Sequence, residues 1–449
     1  MINLDLKTLS RKIDSPFLEQ DAPYKNIGKK IIFILLCLLT LFVYWEFASI
    51  DPHVIYPEHR PLYRYHATGY YTRLTDAFLN GQLSFLEKPH PSFLELKDPY
   101  DPAFNLQSPY RLQDASLYKG KWYAYFGVTP VFLLWLPAKA FGFSMTEPIA
   151  VTVFCWLGFL FSFGFVRNIA HFYKISLDNY HYALIILLLS FSTNIVVMIK
   201  RPFVYEVAIS CAYFCLMSSL YFYSLFLLKN KNKIFLLKSG ILLSFSIASR
   251  FSYVIFSLIF VAFNFFEEKD FRKRFKNICI FFIPILFIIF LQFLYNYLRF
   301  DSFLEFGNNF QVADILTKDA IKFEVFNFKK TVPIYMNRVF YLNKNYGLFE
   351  LLMLYIFILS FLLIKFKYNF IKLPIILFIV SLIQFVFLCT FFPGGTNRYL
   401  VDFVPILILS IILLGLLNEN KSKHKFLYKI LSFIIMLTVC CFNLMAFPI

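Results

Sequence analysis

Residues 235–266 read FLLKSGILLSFSIASRFSYVIFSLIFVAFNFF. The charged residues in this run are Lys238, near the start, and Arg250, at its middle. The run is well over the roughly 20 residues that one helix needs to cross a bilayer. As a single span it would hold Arg250 near mid-membrane, where a charged side chain costs at least about 2.5–3.5 kcal/mol. As a hairpin of two short spans it carries Arg250 at the tip. The hairpin is the favoured reading, and the threading of the whole chain turns on it.

The sequence on either side is of the same kind. Of 449 residues, 59% are hydrophobic and 16% are charged, against roughly 45–50% and 25% in soluble domains. The fold class that follows is an all-α, polytopic transmembrane helical bundle. Spans are expected at 31–48, 148–166, 181–199, 204–228, 235–266 (the pair), 278–297, 348–364, 373–391, 400–417 and 427–447, about eleven in all. A cytoplasmic segment 1–30 precedes a transmembrane module 31–418, and a basic loop with the last span fills 419–449. The module includes long outer loops at 49–127 and 298–347. Lys29 and Lys30 lead into the first span without a small-residue cleavage site, so that span reads as uncleaved.

The net charge of +17 is not gathered into a basic domain of the kind that binds nucleic acid. Lys and Arg instead occur in short runs between apolar segments, at 29–30, 229–233, 269–276, 365–372 and 421–429. That is the positive-inside pattern of cytoplasmic loops. All these runs fall on one side if 235–266 is a hairpin and if VTPVFLLWLPAKAFGF (128–143) does not cross. The latter is short and contains Pro130, Pro137 and Lys139, which suits a re-entrant or surface-lying helix.

With this threading the polar material collects at the opposite, outer face. GYYTRLTDAFLNGQLSF (69–85) has Tyr71, Leu74 and Phe78 at helical spacing, an interfacial amphipathic helix with Gly81 as its stop. DPYDPAFNLQSPYRLQDASLYKGKWYAYFGVTP (98–130) follows. It sets Asp98, Asp101 and Asp114 among Tyr100, Tyr110, Tyr118, Trp122, Tyr123 and Tyr125. Carboxylates can bind or deprotonate hydroxyls, and rings stack on sugar C–H faces. The plainer alternative is an interfacial aromatic belt with Asp-Pro turns. Lys200, Arg201 and Glu206 stand where a span meets this face, and Glu206, about one turn into apolar sequence, calls for a partner or a role. Arg250, Arg299, and Arg398 with Tyr399 and Asp402 join them. Three arginines near one outer cavity would make a phosphate site. Arg398 and Asp402, at i and i+4, could equally form an intrahelical ion pair.

These features together resemble the GT-C superfamily of polytopic glycosyltransferases, such as the aminoarabinose transferase and protein mannosyltransferase types. The resemblance lies in YYTRLTDAFLNGQL after the first span, in YFGVTPVFLLWLP and Glu206, in SIASRFS with Arg250, and in YNYLRFDSFLEFG and NRYLVDFVP. It implies an inverting hexosyl or pentosyl transfer from a polyprenyl-phosphate sugar at the outer face of a bacterial inner membrane. The acceptor would be a lipid, glycan or protein. A carboxylate would act as base, and Arg250, Arg299, Arg398 and Arg201 would hold the lipid phosphate. Tyr71, Tyr123, Tyr125, Glu206, Tyr399 and Asp402 would line the substrate site. Many relatives carry an acidic pair ahead of the YY helix, where this chain has HATGYY (66–71). The base role therefore falls to Asp76, Asp98, Asp101 or Asp114, and His66 could stand in for the missing acid.

The eight cysteines sit in apolar segments without metal-ligand spacing, and no motif demands a divalent metal. No cofactor is implied beyond the lipid-linked donor. Two other classes stay open: a transporter or flippase of lipid-linked glycans, which would place polar groups at the midplane, and a non-catalytic glycan-binding membrane partner.

Overall fold

A computed structural model describes residues 27–49, 69–313, 372–391 and 397–421. The spans expected at 348–364 and 427–447, and His66, lie outside the described residues.

The first helix is α1 (Ile27–Ser49). From Gly69 the chain forms α2 (Tyr70–Leu79), the single turns α3 (Pro91–Leu94) and α4 (Pro102–Asn105), and an antiparallel ribbon of β1 (Ser116–Tyr118) and β2 (Lys121–Tyr123). A π-helical turn, Val131–Trp135, runs into α5 (Leu136–Ala140). Then come α6 (Glu147–Phe172), α7 (Asn179–Phe191), α8 (Ile195–Lys200), α9 (Val204–Leu228) and α10 (Lys233–Ser249). A 3₁₀ turn (Phe251–Phe256) leads to α11 (Ser257–Glu267), followed by α12 (Phe271–Phe300) and a 3₁₀ turn at Asn308–Phe310. Further along the chain come α13 (Lys372–Phe391), a 3₁₀ turn (Asn397–Asp402) and α14 (Val404–Lys421). The chain is an all-α, multi-pass membrane bundle, and five of these helices are long and apolar enough to cross a bilayer by themselves.

The 235–266 stretch does double back. α10 begins where the Asn232 side chain accepts from the Ile234 amide at 3.0 Å, an N-cap. It ends at Arg250, and α11 returns until Lys231 meets the Glu268 carboxylate at 2.9 Å and the Glu267 carbonyl at 3.3 Å. The two feet touch and Arg250 is at the tip. α12 starts at its own cap, Asp270, whose carboxylate accepts from the Arg272 amide at 2.9 Å and the Lys273 amide at 3.3 Å. It packs along α10 at Gly240, where any Cβ would fall on the Phe281 carbonyl and crowd Pro284.

Contacts at the helix ends sort the bundle into two faces. On the loop face the Gly69 amide donates to Glu147 at the start of α6, at 2.6 Å. Lys200, ending α8, lies 4.6 Å from the ring centroid of Phe47 near the end of α1. Phe126 meets Tyr205 at the start of α9 edge-on, with centroids 4.9 Å apart. On the other, basic face, Lys29 lies over Tyr182 and Lys372 over Phe266, and His181 bonds Glu419 at 2.9 Å. The basic runs at 29–30, 229–233 and 269–276 end up on this second face together.

The segment 128–143 stays on the loop face. Its helical part, ten residues, is about 15 Å long, half a hydrocarbon core. It packs on α2, with Trp135 donating to Thr72 at 3.2 Å, the Tyr71 and Trp135 rings 5.0 Å apart, and Lys139 paired with Asp76. Its entry is sewn to the hairpin tip. Thr129 donates to the Phe245 carbonyl at 2.9 Å, and Gly127 sits so close that a Cβ would land on the Ala248 and Ser249 carbonyls. Gly127→Ala should therefore cost about 1–3 kcal/mol through overpacking, read as a lower melting temperature of the solubilised protein. An unshifted melt would show that the seam yields.

Two boundaries differ from expectation. The span expected over 181–199 is broken between α7 and α8, because Asn194 takes a left-handed conformation (φ 58°), which asparagine tolerates better than most residues. The last described span begins at Val404 rather than 400, since 397–402 is wound as a 3₁₀ turn.

Candidate active site

The first loop and the segment after α12 build one wall. Ser116 donates to the Gly307 carbonyl at 2.9 Å, and the Val312 amide donates to the Ala115 carbonyl at 2.9 Å. The Asp114 amide donates to the Val312 carbonyl at 2.7 Å. Lys119 and Tyr118 both reach Asp301, at 2.7 and 2.9 Å, and lower its carboxyl pKa below the ordinary value. Below this wall lies a cavity of about 240 Å³. The hairpin tip (Ile247–Ser252), Tyr125–Gly127, Tyr205, Gln292, Arg299 and Tyr399 line it, among others.

Two ion pairs brace this cavity, both buried. Arg250 bonds Asp402 at 2.6 Å, and Asp402, whose side chain is fully buried, also accepts from the Tyr253 hydroxyl at 3.1 Å. Burial lifts the Asp402 pKa above the usual carboxylate value, with Arg250 and Tyr253 opposing. Arg398 pairs with Glu206 at 3.6 Å and lies over the Tyr205 ring, 4.0 Å from its centroid. Burial works against the Arg398 charge, but Glu206, Tyr399, Tyr205 and Asp114 together outweigh it and the pKa rises. The expected alternative of an Arg398–Asp402 pair within one helix is replaced by these two crossed pairs. Tyr399 stands between the guanidiniums, 5.4 Å from Arg250 and 5.6 Å from Arg398.

Arg299 enters from α12. It donates to the Ala124 carbonyl at 2.7 Å and to Asn296 at 3.0 Å, and it stacks on Tyr295 at 3.8 Å. Among the described residues the Nε atoms of Arg250, Arg299 and Arg398 are buried without a partner, as is one Glu206 oxygen. Tyr125 faces the same cluster. Burial raises its hydroxyl pKa, Tyr399 and Asp114 add to the rise, and Arg250 and Arg398 oppose it.

The four loop carboxylates do not share this setting. Asp76 is paired with Lys139, Asp98 accepts from the Tyr100 amide at 2.9 Å, and Asp101 caps α4 through the Ala103 amide at 2.8 Å. These last two are the Asp-Pro turns of the plainer alternative. Asp114 alone of the four acts on Tyr125 and Arg398. Of the other expected residues, Tyr71 is buried beside Trp135 with a hydroxyl unpartnered among the described residues, Tyr123 packs edge-on against Phe300, and Arg201 lies over Phe203. The reading from sequence missed Gln311, whose amide donates to Asp114 at 3.2 Å and to the Tyr205 hydroxyl at 3.5 Å. It also missed Tyr253. Neither stands in a pattern that marks it.

No protein-family model matches the chain, and no curated protein does. Among solved structures it is similar to the oligosaccharyltransferase of Archaeoglobus fulgidus in complex with Zn and sulfate. The TM-score is 0.53 at 13% identity, over 92% of this chain and 52% of that one. The fold is GT-C-like. ArnT from Cupriavidus metallidurans bound to undecaprenyl phosphate is also similar, with TM-score 0.48 at 12% identity, over 92% of this chain and 64% of that one. The chain thus spans between half and two thirds of these structures. The cavity lies at the loop face, where the end of the first long loop (Tyr125–Gly127) meets the hairpin tip.

Proposed function

We propose that the chain is a glycosyltransferase that moves a sugar from a polyprenyl-phosphate carrier to a hydroxyl acceptor. The observation that carries this reading is the convergence of Arg250, Arg299, Tyr125 and Tyr399 on one loop-face cavity, with Asp114 close to it. Guanidiniums match phosphate oxygens and tyrosines suit sugar, and the fold is shared with an oligosaccharyltransferase. With the basic face in the cytoplasm, the cavity faces outward.

In this scheme Asp114 takes the proton from the acceptor hydroxyl as its oxygen bonds to the anomeric carbon. The bond from that carbon to the phosphate oxygen breaks, and its electron pair leaves with the polyprenyl phosphate. Arg250 and Arg299 stabilise the charge that develops there. One displacement inverts the anomeric centre. Gln311 holds the Asp114 carboxylate in position.

The test begins with binding. Reconstituted protein should bind undecaprenyl phosphate, and Arg299→Gln should weaken it about 10- to 100-fold, the worth of a charge-assisted hydrogen bond. A panel of polyprenyl-phosphate sugars should then yield a transferred product. No binding by the folded wild type would sink the proposal. Binding without product would select the second reading, a non-catalytic lipid-phosphate binder, which the engagement of Asp76, Asp98 and Asp101 elsewhere favours.

A further inference from the structure

The basic face holds more than a diffuse excess of charge. α10 and α12 start side by side there, and the runs that precede and open them converge. The Lys233 ammonium bonds the Asn277 side chain. Asn277 donates to Asn264 at 2.9 Å, and Asn264 donates to the Arg274 carbonyl at 3.2 Å. Both asparagines are buried, so a polar wedge fixes this corner at the membrane edge. Lys231, Lys273 and Lys276 all crowd Lys233, and Glu268 is the acid that faces them. Glu268 is already bonded to Lys231, and Asp270 is used as the cap of α12. Phe271 and Phe275 stand beside these lysines, 74% and 60% exposed.

We propose that this corner is a second binding site, for the phosphate headgroup of an anionic membrane lipid, formed by Lys231, Lys233, Lys273 and Lys276. Four ammoniums gathered where Glu268 is already held by Lys231 and Asp270 caps α12 repel each other, and a bound phosphate relieves that. Exposed aromatic rings at the same depth suit the acyl–headgroup boundary. Orientation by the positive-inside bias requires charge only on the correct side. It does not require two segments of the chain to bring their lysines to one point over a buried amide scaffold. The site is independent of the transfer reaction, and it lies on the opposite face from the cavity.

The test uses the full chain in detergent, titrated with phosphatidylglycerol or phosphatidylcholine and followed by native mass spectrometry. Phosphatidylglycerol should bind more tightly, and its binding should weaken with salt. The exposed pair Lys273→Gln with Lys276→Gln should weaken it about 10- to 30-fold, with the lipid-free melting temperature unchanged. Lys29→Gln with Lys30→Gln, which removes the same charge elsewhere on that face, should leave it intact. Equal binding of the two lipids, equal loss in both double variants, or wild-type binding by the first would overturn the proposal.

Discussion

Alanine at Arg250 will destabilise the protein by about 3–5 kcal/mol, the usual cost of stranding one member of a buried ion pair. Its partner, Asp402, has a fully buried side chain and would keep the Tyr253 hydroxyl as a hydrogen-bond donor. Burial already lifts the Asp402 carboxyl, and without Arg250 the rise increases. Above about pH 3.9, where an unfolded aspartate has lost its proton, the folded variant would still hold one. Its stability therefore falls as pH climbs from there towards the folded pKa, and recovers on acidification. The gap between wild-type and variant melting temperatures should narrow in acid. Arg250→Met combined with Asp402→Leu removes both charges and should return stability to near wild type. It should not return polyprenyl-phosphate binding, which separates the bracing of the cavity from its ligand. A single Arg250→Ala variant that melts like wild type would refute the buried pair.

Asp114→Asn will abolish sugar transfer while leaving the fold intact. The side chains are nearly isosteric, so the Gln311 contact can be kept by an amide flip. Loss of a general base typically costs about 10²- to 10⁴-fold in rate. Asp76→Asn, Asp98→Asn and Asp101→Asn should each keep activity within a few-fold, since their carboxylates serve Lys139, the Tyr100 amide and the α4 cap. Asparagine caps a helix about as well as aspartate, so Asp101→Asn should also melt like the wild type. The measurement is turnover against melting temperature for all four. Activity that survives in Asp114→Asn and dies in one of the others would move the base elsewhere.

Much of this was readable in the chain because membrane physics narrows the choices. The price of a mid-membrane arginine forces 235–266 to fold back, and the lysine runs at 29–30, 229–233 and 269–276 then fall on one side among the described residues. The site resisted for a local reason. Residues four apart stack on an α-helix, but at three residues per turn they lie roughly 120° apart. The 3₁₀ turn at Asn397–Asp402 thus aims Arg398 at Glu206 and Asp402 at Arg250. Nothing in NRYLVD announces that winding. The four loop aspartates looked alike for a similar reason. The Asp-Pro steps at 98–99 and 101–102 are cap and turn signals, but Asp114 owes its place to a segment almost two hundred residues later (Gln311, |i−j| = 197).

That dependence on distant sequence sets a schedule for biogenesis. Arg250 meets a partner 152 positions downstream, and Glu206 needs Arg398, further still. A ribosome still synthesising the chain has put the hairpin and the first loop in place long before either brace exists. Arg250 stays without Asp402, and Glu206 without Arg398, until the 397–402 turn emerges and seats itself. A copy synthesised only as far as residue 396 lacks Tyr399 from the cavity wall and both braces, so the ligand site is completed only once that turn is in place.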